Sequence, residues 1–304
     1  MTHSPAASKR QERKSIPALD RPTSWWLGAL RKRRERMRYE TLDFSTPVTW
    51  ESEAEQRGAI AFFNAAFRAE ESGLRQAHEL AEEVSTWDPE LGETLRLYGE
   101  EEGWHRELLT EFLEKIGGHV RPMGPTTRTF YSLYKRAERM ETIVLTNLMF
   151  ETIGATTYRI ALRTARPQPA VQKMLTILTR DESFHVPLNA HFLRRVFQRQ
   201  PARAKRRAQV LYHVLTGALV ASAAASRRRA LDFDRIPFSL LARSYAGALT
   251  RLFAQAPDLG LVPMPGLVPL LRSLGEKDVM TEDPLSIRAA EAAVERDNVV
   301  VSAL

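Results

Sequence analysis

The feature that most constrains this chain is an internal repeat: residues 71–113 align with residues 151–193 without a gap, at an offset of 80. In each copy, apolar residues recur every three or four positions along two stretches, the spacing of an amphipathic helix. The aligned identities include a glutamate, a proline and a Glu-x-x-His sequence. The repeat therefore predicts that one helix pair occurs twice and that the two pairs pack as a bundle.

The rest of the chain extends this helical pattern. No stretch alternates apolar and polar residues for long enough to require a sheet, so we predict an all-α fold. We divide the chain into a basic, partly disordered tail with a tryptophan-containing amphipathic helix (1–50), a four-helix bundle (51–200) and a C-terminal helical extension (201–304). Asp88 and Pro89 separate the first two bundle helices as an N-cap and a first-turn proline.

The residue types available limit the chemistry of the chain. It contains no cysteine, which excludes disulfides, a thiolate nucleophile and an iron–sulfur cluster within the chain. A metal would therefore have to be bound by oxygen and nitrogen ligands.

Each copy of the repeat carries one Glu-x-x-His sequence, Glu102 with His105 and Glu182 with His185. A helix places residues i and i+3 on one face, one turn apart. Each pair can therefore present a carboxylate and an imidazole to the same point in the bundle.

A further glutamate lies on the preceding helix of each copy. Glu151 precedes its Glu-x-x-His by 31 residues, and of the neighbours Glu70 and Glu71 only Glu71 keeps that spacing in the first copy. We therefore predict Glu71 and Glu151 as the inward-facing residues of these helices.

Four glutamates facing one another in an apolar interior would be very costly without cations to neutralise them. Two divalent ions come close to balancing four carboxylates. Carboxylate oxygen and imidazole nitrogen suit iron or manganese, whereas the lack of thiolates argues against zinc or copper(I).

This pattern resembles the ferritin-like di-iron carboxylate superfamily over about residues 55–198. The resemblance implies a ferritin-like four-helix bundle with additional N- and C-terminal helices, and a cofactor of two iron ions or a manganese–iron pair. The ligands it implies, which are also its catalytic residues, are Glu71, Glu102, His105, Glu151, Glu182 and His185.

The resemblance also implies roles for the acids that immediately precede the ligand glutamates. In similar oxidases such an acid accepts the hydrogen of the other pair's histidine and fixes its tautomer. We expect Asp181 to pair with His105 and Glu101 with His185. The alternative is that both acids lie on the charged outer faces of their helices.

The two copies differ after Glu151, where the sequence reads "TIGATTYR". Gly154 and Ala155 could leave room for oxygen or a substrate, or could serve close helix packing. Thr156 is a candidate hydrogen-bond donor toward a bound oxidant. Tyr158 is either a polar residue of the core or a residue that acts next to the metal ligands.

Residues 1–40 carry eleven basic and four acidic residues, which accounts for the whole formal net charge of +7. The remaining chain is neutral, so nucleic acid is not a favoured partner. Within the tail, "TSWWLGALRKRRERMR" has two interpretations. Trp25, Trp26 and Leu30 dock onto the bundle while the arginines stay solvated, or the segment binds an anionic membrane surface, RNA or another acidic partner such as a carrier protein.

The oxidase and oxygenase branch of the superfamily, with acyl carrier protein desaturases, hydroxylases of quinone biosynthesis and amine oxygenases, is similar at the predicted site. It implies O₂-dependent hydroxylation, desaturation or N-oxygenation of an organic substrate, with electrons from a separate reductase or ferredoxin. The alternatives are an iron-storage or peroxide-reducing protein like ferritins and rubrerythrins, and a non-catalytic scaffold with a structural metal.

Neither a signal peptide nor a convincing membrane span is evident in the sequence. We therefore expect a cytoplasmic protein, with peripheral membrane contact through the basic tail as an option. A homodimer is among the candidate assemblies.

Overall fold

The computed structural model of the protein describes residues 21–123, 128 and 139–262, with the side chains of 219–229 left aside. The helices with described bounds are α1 (Thr23–Met37), α2 (Glu53–Ser85), α3 (Pro89–Lys115), α4 (Met140–Thr164), α5 (Pro169–Arg199), α6 (Ala202–Asp234) and α7 (Phe238–Gln255), before a 3₁₀ turn at Pro257–Leu259. Within these residues there is no strand, which confirms the predicted all-α fold.

Helices α2 to α5 form the bundle as two antiparallel pairs. Residues 86–88 join α2 to α3, and residues 165–168 join α4 to α5, so each pair is a helical hairpin. The predicted cap is confirmed: the Asp88 side chain accepts a hydrogen bond from the backbone N–H of Leu91 at 3.1 Å, and Pro89 is the first helical residue.

The bundle interior has two apolar clusters with a polar layer between them. One cluster includes Ala77 and Leu80 of α2, and the other includes Phe63 and Phe67 of the same helix. Helices α3, α4 and α5 also contribute to both clusters. The polar layer lies at mid-bundle, where apolar packing at either end separates it from the ends of the helices.

Helix α1 packs along α3 and completes one of these clusters. Trp26 and Leu30 are buried, so these residues dock onto the bundle. The expectation that the arginines of this segment stay solvated is wrong for Arg33 and Arg36, which are 0% and 1% exposed. They are buried because acidic side chains of the bundle pair with them.

The extension after residue 200 packs on the bundle through α6 and α7. Helix α6 lies along α2, and α7 contacts α4, where the hydroxyls of Thr157 and Tyr245 are 2.6 Å apart.

No helix in the described ranges is long and apolar enough to cross a membrane. Residues 1–20, to which the predicted disorder applies, and the segment 263–304 lie outside the described residues.

Candidate metal centre

A cluster of buried acids and histidines forms the polar layer at mid-bundle. Two groups of possible ligand atoms each lie within 4.8 Å of one another, Glu70 with Glu102 and His105, and Glu102 with Glu151 and His185. All five side chains are buried. Because Glu102 belongs to both groups, the cluster has the form of two adjoining half-sites that share one carboxylate.

The histidine nitrogens that face the cluster are the Nδ1 atoms. His105 Nδ1 is 3.2 Å from Glu70 Oε2. His185 Nδ1 is 3.0 Å from a carboxylate oxygen of Glu102, 3.5 Å from one of Glu151 and 3.8 Å from one of Glu182. The half-site around His185 is therefore the richer in carboxylates.

The prediction of Glu71 as an inward-facing residue requires correction, because the structure places its neighbour Glu70 in the cluster. Glu70 is 1% exposed. The Glu71 side chain is 36% exposed and forms an ion pair with Arg68 at 2.5 Å. Glu70 continues the buried face of α2 that Phe63 and Phe67 begin, at helical steps of four and three residues.

The gapless alignment selected Glu71 wrongly because the first helices of the two copies are shifted by one residue relative to the second helices. The two inward glutamates, Glu70 and Glu151, differ by 81 positions and not by 80. A short signal for this shift was present: Glu70 is followed three residues later by Gly73, and Glu151 by Gly154.

The outer nitrogens of the histidines contact the two acids that precede the ligand glutamates, in the crossed pairing expected from the sequence. His105 Nε2 lies 3.0 Å from Asp181 Oδ2, and His185 Nε2 lies 3.1 Å from Glu101 Oε2. Both acids are buried and do not lie on the outer helix faces. Each imidazole thus connects an outer acid with the central carboxylates.

These outer acids are held in the ionised form. Burial raises the pKa of Asp181, but the charges of Arg180, Arg36 and Arg33 outweigh it and hold this pKa well below its usual range. Burial opposes ionisation of Glu101 as well, and the charge of Arg33 is the main cause of its lowered pKa.

Two of the central carboxylates behave in the opposite way, whereas hydrogen bonds to Glu182 and His185 outweigh burial and lower the pKa of Glu151. Burial, together with the neighbouring carboxylates, raises the pKa of Glu102 and Glu182 well above the ordinary glutamate range. Burial alone would lower the pKa of His105, but hydrogen bonds to Asp181 and Glu70 raise it to about 10. Without cations, protons therefore neutralise the cluster.

Tyr98 is a further residue of the site that the sequence analysis missed. Its hydroxyl donates a hydrogen bond to Glu151, and its ring packs edge-on against His185 with the centroids 4.9 Å apart. Burial and the charges of Glu102 and Glu151 raise its pKa well above 10, so it stays protonated as a donor. Its position one turn before Glu102 on α3 was the available signal.

Of the four pocket candidates after Glu151, Gly154 and Tyr158 lie near the central glutamates. A Cβ atom at Gly154 would lie 3.8 Å from the Glu182 carboxyl carbon, and Ala155 is 0% exposed. The Thr156 hydroxyl donates to the carbonyl of Thr152 at 2.7 Å. Burial, followed by the charges of the central glutamates, raises the Tyr158 pKa. A pocket at these residues stays a prediction.

The residues present fit a pair of divalent cations. Three buried polar atoms of the cluster make no hydrogen bond of acceptable geometry: Glu70 Oε1, and the Glu102 Oε1 and His185 Nδ1 atoms that lie 3.0 Å apart. Buried polar atoms are rarely left unsatisfied in this way unless another group engages them. The ligand atoms are oxygen and nitrogen, as iron and manganese prefer.

Two inward Glu-x-x-His pairs and two further inward glutamates on four antiparallel helices match the ligand arrangement of ferritin-like dimetal carboxylate bundles. No family model matches the sequence, and no curated protein matches it significantly. Two solved structures are similar to the chain, both variants of an R2-like ligand-binding oxidase with an aerobically reconstituted Mn/Fe cofactor.

For the first of these structures, the sequence identity is 13% and the TM-score 0.45, over 93% of this chain and 94% of that chain. For the second, the identity is 14% and the TM-score 0.44, over 99% and 98% of the two chains.

Proposed function

We propose that the protein is a non-haem dimetal oxidase or oxygenase, which uses O₂ to hydroxylate, desaturate or N-oxygenate an organic substrate. The observation that supports this proposal is the buried pair of half-sites sharing Glu102. A metal that only stabilised a fold would not need two adjoining sites whose carboxylates are this costly to bury.

Two divalent ions, either two irons or a manganese–iron pair, would be held by Glu70, Glu102, His105, Glu151, Glu182 and His185. When bound, they would supply the electrons and the Lewis acidity that reaction with O₂ requires.

The protein's own residues prepare this site. Asp181 and Glu101 hold the histidine rings so that Nδ1 faces the central carboxylates. Tyr98 orients Glu151 through its hydroxyl. The apolar clusters on either side keep bulk water from the carboxylates.

Each of the three reactions needs a separate electron donor. Hydroxylation, like each N-oxygenation step, places one atom of O₂ in the substrate and releases the other as water, which takes two electrons and two protons in addition. Desaturation removes two hydrogen atoms from the substrate, and full reduction of O₂ to two waters again takes two electrons and two protons. With no cysteine in the chain, a reductase or ferredoxin would supply these electrons.

The basic residues before α1 are the proposed contact for an acidic carrier or an anionic membrane surface. Four lysines and arginines lie in residues 9–14. This would place a cytoplasmic enzyme at the membrane surface or beside a carrier-bound substrate.

The first test is a count of metals. Protein loaded with iron(II) and manganese(II) without oxygen is freed of unbound metal and analysed for metal per chain. We expect about two metals per chain, as two half-sites require, and a loss of metal in Glu102→Ala and Glu70→Ala. Glu71→Ala is the matched control and is expected to retain both metals.

The second test adds O₂ to the loaded protein while its optical spectrum is recorded. A transient, oxygen-dependent absorption band that Glu102→Ala lacks would support the oxidase and justify a substrate search. Metal without an oxygen response would favour a structural metal in a scaffold. Uptake of many irons per chain would favour storage.

A further inference from the structure

We propose that Arg33 and Arg36 of α1 are positioning residues that align both histidines of the metal centre by holding Glu101 and Asp181. This inference rests on the proposed dimetal function. It gives the N-terminal helix, which lies outside the four-helix repeat, a part in building the site.

Arg33 contacts both acids at once. Its Nε is 3.1 Å and 3.0 Å from the two carboxylate oxygens of Glu101. Its Nη2 is 2.8 Å from Glu101 Oε1 and 2.6 Å from Asp181 Oδ1. One guanidinium therefore links the acid behind His185 with the acid behind His105.

Arg36, on the next turn of α1, also contacts both acids, through a single nitrogen. Its Nη2 is 3.0 Å from Glu101 Oε1 and 3.1 Å from both carboxylate oxygens of Asp181. A planar guanidinium presents several N–H donors in a rigid fork, so it restrains the plane of a carboxylate as well as its position.

The two arginines belong to a larger network of buried and partly buried charges. Arg180 also pairs with Asp181, at 2.7 Å, and both Arg36 and Arg180 pair with Glu40, at 3.0 and 2.8 Å. Together with Arg33 and Glu101, this makes three cations and three anions, and Lys173, whose side chain is 43% exposed, adds a fourth cation at 2.7 Å from Glu40. The arginines and acids of the outer network therefore compensate one another, and the four central carboxylates are left for the metal ions to balance.

The restraint passes from the arginines to the metal ligands through single contacts. Each acid touches the outer Nε2 of one histidine, at 3.0 and 3.1 Å. The direction of the inner Nδ1 therefore depends on where the acid is held. Because each arginine contacts both acids, replacing one guanidinium should disturb both half-sites together.

The test compares Arg33→Lys, which keeps the charge but loses the fork, with Arg34→Lys. Arg34 is on the same helix, and its side chain is 46% exposed and paired with Glu100 at 3.2 Å. Each folded protein is titrated with cobalt(II) without oxygen, and the visible absorption of the bound cobalt is recorded. Thermal unfolding of the metal-free proteins is measured alongside.

We expect Arg33→Lys to lower the cobalt affinity of both half-sites by about 10- to 100-fold, as loss of such outer contacts does, and to change the cobalt spectrum. Arg34→Lys should match the native protein. If Arg33→Lys does not fold, Arg36→Lys is measured in the same way with the same expectation.

If Arg33→Lys or Arg36→Lys folds and keeps the native cobalt affinity and spectrum at both half-sites, the inference is overturned and the proposed function still stands. An effect confined to one half-site would overturn the linkage of the two. If the native protein binds no cobalt, the proposed metal centre fails, and the inference fails with it.

Discussion

At the scale of single residues, Gly73 shows how closely the carboxylates fill the space between helices. It lies one turn after Glu70 on α2, and a Cβ atom added to it would lie 2.9 Å from Glu102 Oε2. At the matching place in the second copy, a Cβ at Gly154 would lie 3.8 Å from the Glu182 carboxyl carbon, an ordinary contact. The space beside Glu102 is thus the tighter of the two.

We predict that Gly73→Ala weakens metal binding more than it destabilises the fold. The added methyl group meets the end of the Glu102 side chain, which can move aside without moving a helix. The free energy of unfolding of the metal-free protein should fall by about 1 kcal/mol, at the low end for an overpacked site, while metal content after gel filtration falls below that of the native protein.

Gly28→Ala is the control, because a Cβ at Gly28 has no neighbour within 4 Å. This change in α1 should leave metal content unchanged and stabilise the fold by up to about 1 kcal/mol, since alanine loses less backbone entropy than glycine. Equal metal content in the two variants would refute the role given to Gly73.

At the scale of elements, α1 is held to the bundle by its apolar face. Trp26 is 0% exposed and packs edge-on against Phe184, with the ring centroids 5.4 Å apart. Two and three turns further on, this docking places Arg33 and Arg36 against the acids of the bundle. Burial of the apolar face thus accompanies burial of two charges that would otherwise stay in water.

We predict that Trp26→Ala lowers the free energy of unfolding by about 3–5 kcal/mol, the usual cost of removing a large buried aromatic side chain. Trp25→Ala should cost less, because Trp25 is only partly buried. Equilibrium unfolding in urea, followed by far-ultraviolet circular dichroism, measures both. Equal losses would mean that α1 docks differently from this structure.

At the scale of the whole molecule, burial has opposite outcomes for the pKa of the outer acids and for the pKa of two central glutamates. The outer acids are ionised and paired with arginines. Glu102 and Glu182 of the central cluster have raised pKa values, and His105 has a pKa of about 10. In the metal-free fold the central cluster therefore holds protons at pH values where an unfolded chain would have released them.

We predict that the metal-free protein loses stability as pH rises above about 6.5. The pKa of His105 is higher in the folded state, so its stabilisation is present below its unfolded value of 6.5 and is lost as pH approaches 10. The raised pKa values of Glu102 and Glu182 act in the same direction. Thermal unfolding at pH 6.5, 8 and 9 measures the effect, at roughly 2–4 °C per kcal/mol for a chain of this size class.

Cobalt(II) or manganese(II), added without oxygen, should oppose this loss, because the metal replaces the protons and binds more tightly as pH rises. In His105→Gln the fall in melting temperature should be smaller. A melting temperature that stays level or rises between pH 6.5 and 9 would contradict the assignment of a proton-holding cluster.

Much of this molecule could be read from short-range patterns. The i, i+3 spacing of Glu102 with His105 and of Glu182 with His185 requires only helical geometry, and the Asp88 cap uses residues next to it in sequence. The all-α fold follows from the same periodicity. These features depend on contacts within one or two turns, which a sequence displays directly.

The choice between Glu70 and Glu71 depended on the tertiary structure. Neighbouring positions point about 100° apart on a helix, and it is the packing of the buried face of α2 that turns Glu70 toward His105. The repeat favoured Glu71 because an alignment compares residue positions and contains no information about the rotation of each helix about its own axis.

The burial of Arg33 and Arg36 could not be read from the sequence either, since their partners Glu101 and Asp181 lie 65 to 148 residues away. A cationic run looks the same in a sequence whether water or carboxylates surround it. Whether these arginines are buried or solvated depends on how α1 docks, because the cost of burying a charge depends on which opposite charges the fold brings close to it.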